Sequence, residues 1–159
     1  MTYYSPAKGV DATFGNFVEN LRFYVAAEGN TTTTTDFVAF FAPNATIAMG
    51  PVQNFTGADQ IATFKETICS GDCIINYHFP NVTRVSSETS TNKTFAVQGL
   101  AKAQYINGSC GATVSLSYET RFTVLKDEVG TAELCPGSGS LAFLDLVAQS
   151  ATGGTCDDF

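Results

Sequence analysis

The stretch VSLSYETRFTVL, Val114–Leu125, alternates apolar and polar residues along its length. Side chains alternate across a strand. Val114, Leu116, Tyr118, Thr120, Phe122 and Val124 therefore share one face, and Ser115, Ser117, Glu119, Arg121 and Thr123 share the other. A strand of this kind covers a core on one side only. The same pattern recurs before it: residues 93–108, KTFAVQGLAKAQYING, set Phe95, Val97, Gly99, Ala101, Ala103 and Tyr105 against Gln98, Lys102 and Gln104, and end at an Asn-Gly turn signal. Residues 73–89 are β-branched and aromatic, with Pro80 demanding a bend or bulge. After a glycine- and acid-containing loop over 126–139, with a short strand near Ala132–Leu134, SLAFLDLV (140–147) is the last predicted strand. The tail, 148–159, has no periodicity.

Ahead of these strands the period changes. Phe14, Phe17, Val18, Leu21, Tyr24 and Val25 have helical spacing and predict a helix over 13–28, with Asp11 or Thr13 as its cap. The threonine run 31–35 reads as a loop, with Thr35 or Asp36 capping a short helix, DFVAFFA, stopped by Pro43. Residues 45–49 and 52–55 read as two short strands. Thr56 and Asp59 then resemble a capping box for a third helix carrying Ile61, Phe64 and Ile68.

The chain of 159 residues suits one domain, expected over 12–147, with a core rich in its 13 Phe and 6 Tyr. Only 14% of residues are charged and the net charge is −7, with no basic run, so nucleic acid and anionic membrane are poor partners. No apolar stretch approaches the ~20 residues a membrane span needs. Six of the nine asparagines, Asn30, Asn44, Asn54, Asn81, Asn92 and Asn107, stand in N-x-S/T sequons, where chance placement would give roughly two. Five cysteines fit an oxidising compartment as well: Cys69, Cys73, Cys110, Cys135 and Cys156. Two disulfides drawn chiefly from the first four are expected. Cys69 and Cys73 are near enough to bridge locally, and the pairing is otherwise open. A zinc site is not expected, because no second close Cys/His pair completes a ligand set. Together these features point to a secretory-pathway protein. Met1 leads into polar residues, so any signal would already have been removed.

Helix, helix, two short strands, helix and then long antiparallel strands give an α+β fold, with helices on one face of a strongly curved sheet. Such a cone is too wide to fill with side chains. Gly99, Ala101 and Ala103 leave room in it for a ligand. This order, with NFTGADQIATFKETI, YETRFTVL and LAFLDLV, resembles the nuclear transport factor 2-like superfamily over about residues 12–147, in its polyketide-cyclase-like and limonene-epoxide-hydrolase-like branch. The resemblance implies a cone-shaped domain, often dimeric, that hosts epoxide hydrolases, dehydratases, isomerases, cyclases and non-catalytic binding proteins. It brings no cofactor. With the sequons, its nearest match is a fungal secondary-metabolite enzyme acting on a hydrophobic polyketide- or terpenoid-like molecule.

The candidate chemistry follows from the polar residues on these strands. An acid and an arginine two apart, Glu119 and Arg121, with Asp145 on the last strand, match an epoxide-opening set. One carboxylate ionised beside the arginine takes a proton from water, and the other, kept protonated among Leu and Phe, donates to the epoxide oxygen. The order of acid and arginine is reversed relative to the limonene-epoxide-hydrolase pattern. The competing placement puts Glu119 and Arg121 on the outside of the sheet, as an exposed ion pair worth at most ~1 kcal/mol or as part of a dimer contact. His78, the only histidine, is the general base of the alternative dehydratase, isomerase or cyclase, although scytalone dehydratases use two. Tyr118 first, then Tyr24, Tyr77 and Tyr105, could donate a hydrogen bond to a substrate oxygen, with Glu28 beside them on the first helix. A carrier of an apolar ligand would need none of these groups inside the cone.

Overall fold

The computed structural model describes residues 5–26, 31–51, 53–68, 73–105 and 112–154; for 5, 26, 31, 73–79, 102–105, 112–116 and 148–154 it describes the backbone alone. The elements are β1 (Ser5–Pro6), α1 (Phe14–Ala26), α2 (Thr31–Val38), β2 (Phe41–Met49), β3 (Gln53–Thr56), α3 (Ala58–Thr67), β4 (Cys73–Glu88), β5 (Asn92–Tyr105), β6 (Ala112–Leu125) and β7 (Leu141–Gly154). Among the described residues the strands form one open sheet in the order β1-β4-β5-β6-β7-β2-β3. β1 with β4 and β2 with β7 are parallel, and every other pairing is antiparallel. No helix among the described residues is long and apolar enough to cross a membrane.

The alternation of apolar residues decides which side of the sheet the helices cover. Phe95, Val97, Phe122, Val124 and Leu144 are buried, and they meet Phe14, Phe17, Val18 and Leu21 of α1, Phe37 of α2 and Ile61 and Phe64 of α3 in one cluster. Phe14 stacks on Phe95 at a centroid distance of 4.0 Å and takes the edge of Phe122 at 5.6 Å. Each buried phenylalanine contributes about 2–3 kcal/mol through area removed from water. Register shifts in β4 after Cys73, Pro80 and Val85, and in the β6–β7 pairing after Ser117 and Thr123, bend the sheet around this cluster. The shift at Pro80 is the one its sequence demanded.

Several boundaries differ from the sequence reading. α2 begins inside the threonine run at Thr31, and Phe41 and Ala42 belong to β2 instead. Phe41 pairs with Leu141, and the amide of Leu141 donates to the carbonyl of Phe40, so cross-strand bonding extends the strand through Pro43 and its register shift. α3 has no capping box. Its N-cap is Gly57 at φ 79°, and Gln60 Oε1 accepts from the Thr56 amide at 2.8 Å. The Asp11 carboxylate pairs with Lys93 at 2.7 Å, fastening the start of α1 to β5. The aperiodic tail is strand as far as Gly154, where backbone pairing with β6 replaces side-chain patterning.

Candidate functional site

Directly paired residues share a face, so the register builds the inner wall row by row. Val85, Phe95, Phe122 and Leu144 form the closed, aromatic end of the cone. Thr83, Val97, Thr120 and Leu146 follow, then Pro80, Gly99, Tyr118 and Ala148. The next row carries the backbone positions of His78, Ala101, Leu116 and Ala151. Side-chain bulk therefore falls along β5 from Phe95 to Gly99 and Ala101.

Over this stepped wall lies Arg22. It sits four residues after Val18 and three before Val25, on the flank of the apolar stripe of α1. Arg22 Nη2 donates to the hydroxyl of Tyr118 at 2.5 Å, and the guanidinium carbon lies 5.7 Å from the centre of that ring. Arg22 Nη1 is buried and makes no hydrogen bond, and the Oγ1 of the fully buried Thr83, in the adjacent row, makes none either. Burial pulls the Arg22 guanidinium below its ordinary value, partly offset by Tyr118, but arginine stays a cation. Burial pushes the Tyr118 phenol up, against the opposing pull of Arg22, so it is neutral near pH 7. The arrangement sets a fixed positive charge beside a phenol on the helix-facing side of the sheet. Arg22 was not legible as a site residue, because a charge flanking an apolar stripe ordinarily points to water. The sequence signal available was its spacing from Val18 and Val25.

Of the other predicted residues, Tyr118 is buried on the inner face as expected. Tyr24 is half-buried and packs its ring against Phe40 and Phe23, so it serves the core of α1. The side chains of His78, Tyr77 and Tyr105 lie outside the described residues, as does Glu28. By register His78 falls in an inner row, whereas Tyr77 pairs with Lys102 in an outer one.

Glu119, Arg121 and Asp145 are brought together, but on the opposite face from the helices. Glu119 pairs with Gln98, and Arg121 pairs with Ala96 on one side and Asp145 on the other. Glu119 Oε2 accepts from Arg84 Nη2 at 3.1 Å and Gln98 Nε2 at 2.9 Å, and its Oε1 accepts from Arg121 Nε at 2.9 Å. Arg121 Nη1 stands 3.9 Å from Asp145 Oδ2. Of the two placements the sequence left open, the parity of β6 favours the outer one: Tyr118 and Thr120 occupy the inner positions, and no register shift lies between Tyr118 and Thr123 to turn Glu119 inward. With its oxygens engaged, Glu119 is a structural clamp across β4, β5 and β6. Its carboxyl is held below the ordinary range, chiefly by the Gln98 hydrogen bond, with burial opposing and the two arginines assisting.

An open cleft of about 380 Å³ lies apart from the cone wall, between α3 and the β2–β3 hairpin, lined by Met49, Phe55, Phe64 and Ile68 among others. Three sequon asparagines, Asn44, Asn54 and Asn81, are exposed, and Asn92 is half-buried; Asn30 and Asn107 lie outside the described residues. Cys135 is an exposed free thiol and takes no part in a disulfide here. Cys69, Cys110 and Cys156 lie outside the described residues, as does the side chain of Cys73.

No protein-family model and no curated protein sequence matches this chain. Solved structures do. A candidate scytalone dehydratase from Novosphingobium aromaticivorans superposes with a TM-score of 0.62 at 16% identity, over 87% of this chain and 85% of its own. A type 3 hexachlorocyclohexane dehydrochlorinase from Novosphingobium barchaimii gives 0.64 at 7% identity, over 87% and 88%. A nuclear transport factor 2-like protein from Pseudomonas aeruginosa gives 0.62 at 6% identity, over 87% and 100%. The chain has the nuclear transport factor 2-like fold, an α+β cone of three helices on a curved, mainly antiparallel sheet.

Proposed function

We propose that this protein is a cofactor-independent enzyme that performs acid–base chemistry on a hydrophobic small molecule held in the cone, as a lyase, isomerase or cyclase. The observation that carries the reading is the inner wall: Tyr118, hydrogen-bonded to Arg22, stands beside Gly99 in one row, with Ala101 and the backbone position of His78 in the next. A neutral phenol beside a fixed cation can stabilise negative charge developing on a substrate oxygen. The base such a reaction needs is assigned to His78, whose backbone lies one row away by register. Loss of water and loss of hydrogen chloride, the reactions named for two of the structural neighbours, both need such a base. Opening of an epoxide by Glu119 and Asp145 has less support, since both sit on the outer face and Glu119 is fully engaged.

The test is turnover on a small panel: a bicyclic β-hydroxyketone that aromatises on losing water, a β,γ-unsaturated ketone and a terpene epoxide. Conversion of either ketone, abolished in His78→Ala and lowered by about 10²-fold in Tyr118→Phe, supports the proposal. Conversion of the epoxide alone, lost in Asp145→Asn, would restore the carboxylate mechanism. Binding of panel members without turnover would make the protein a carrier.

The compartment is part of the same proposal. Exposure of Asn44, Asn54 and Asn81 supports N-glycosylation in a secretory pathway. Protein from its native source should then lose mass on endoglycosidase treatment; an unchanged mass would contradict this.

A further inference from the structure

The arginines of the outer face each approach a carboxylate, although both are about half exposed: Arg84 and Arg121 lie 3.1 and 2.9 Å from Glu119. Arg22 is half-buried and has no ion pair among the described residues, and its Nη1 is buried without a hydrogen bond. This inverts the usual order of need. An exposed guanidinium is satisfied by water, whereas a buried one left with an idle donor carries the full cost of its desolvation. Tyr118 holds Nη2 and so fixes the plane of the group, leaving its other donors in a set geometry. Nearby, Thr83 Oγ1 is also buried and idle, in the row adjoining Tyr118 on the same wall. Around Tyr118 the wall carries the apolar Val97 and Leu146 and steps down in size to Gly99 and Ala101, which suits an apolar body.

We propose that Arg22, braced by Tyr118, is a carboxylate-binding site, so that the natural ligand of the cone is an apolar molecule bearing a single carboxylate group. A planar carboxylate accepts the parallel donors that a guanidinium offers, and it supplies a counter-charge that none of the described residues gives Arg22. The assignment rests on the cone's being the binding cavity, as proposed above, and adds to it the charge of the occupant. In this role Arg22 contacts the ligand, Tyr118 positions Arg22, and no covalent step is involved.

The experiment is calorimetric titration of the whole chain at pH 7 with two probes of one shape, 2-naphthoate and the neutral 2-naphthylmethanol. The wild-type protein should bind the carboxylate roughly tenfold or more tightly than the alcohol, the worth of one charge-assisted hydrogen bond in a buried site. Arg22→Gln should erase that preference, while Arg22→Lys should keep part of it. If Arg22→Gln does not fold, the preference of the wild type and its partial retention in Arg22→Lys decide the matter. Equal binding of both probes by the wild type overturns the carboxylate site while leaving the cavity intact. A preference that survives Arg22→Gln also overturns it, by placing the charge readout elsewhere. Failure of both probes to bind overturns this assignment and the cavity reading together.

Discussion

Glu119→Gln separates structure from catalysis on the outer face. The wild-type carboxylate is 7% exposed and accepts from Gln98, Arg84 and Arg121. The two arginine side chains are 43% and 51% exposed, so each pairing is close to a surface one, worth about 0.5 kcal/mol after solvent screening. The Gln98 hydrogen bond to a nearly buried charge adds about 1.5 kcal/mol. Glutamine keeps one carbonyl oxygen as an acceptor, so the expected loss is about 2 kcal/mol, or a fall in Tm of about 4–8 °C for a domain of this size. The pH dependence carries a sign. The folded carboxyl titrates below its ordinary value, so its stabilisation is fully present above the unfolded glutamate pKa of about 4.3 and is lost as pH falls through the lower folded value. The difference in Tm between wild type and Glu119→Gln should therefore be constant from pH 8 to 5 and close as the folded carboxyl protonates. Thermal unfolding by circular dichroism across pH 3–8 reads this directly. A gap that persists unchanged after that protonation would refute the electrostatic account. Loss of turnover at unchanged Tm would refute the assignment of Glu119 to structure.

Two further substitutions test the core and the α3 start. Phe14→Ala removes a fully buried ring that stacks on Phe95 and meets Phe122, and should cost about 3–5 kcal/mol in urea unfolding; a loss under about 1 kcal/mol would mean the aromatic end of the cone is not close-packed. Gly57→Ala places a side chain at φ 79° and ψ 166°, a region open essentially to glycine, while the new Cβ meets only the Pro43 carbonyl at 3.9 Å. Backbone strain alone should then cost about 1–3 kcal/mol by the same assay, and a neutral result would show that the N-cap adopts another conformation.

What the sequence disclosed was periodic, and what it concealed was not. The alternation in VSLSYETRFTVL placed β6 and sorted its faces correctly, including Tyr118 inward, because one buried face forces the pattern. It also set Glu119 and Arg121 on the polar face; reading them as pocket residues required a bulge that lies elsewhere in the pairing. The start of α2 was hidden because threonine has modest helix propensity and the burial of Thr34 and Phe37 overrides it. The end of β7 was hidden because Ala148–Gly154 is held by backbone pairing to β6, which leaves no apolar signature. Arg22 was hidden for the opposite reason. Helical spacing placed it beside the core, but nothing in a sequence states that a flanking charge folds inward to meet a tyrosine 96 positions away.

The central claim is that the chemistry belongs to the inner wall and not to the outer carboxylates. It is tested most directly by kcat/KM for Tyr118→Phe and Asp145→Asn, measured side by side on the first panel substrate that turns over. Removing the phenolic donor should lower kcat/KM by about 10²-fold, with Asp145→Asn within about twofold of wild type. The reverse order, with Tyr118→Phe near wild type and Asp145→Asn inactive but folded, would contradict the account.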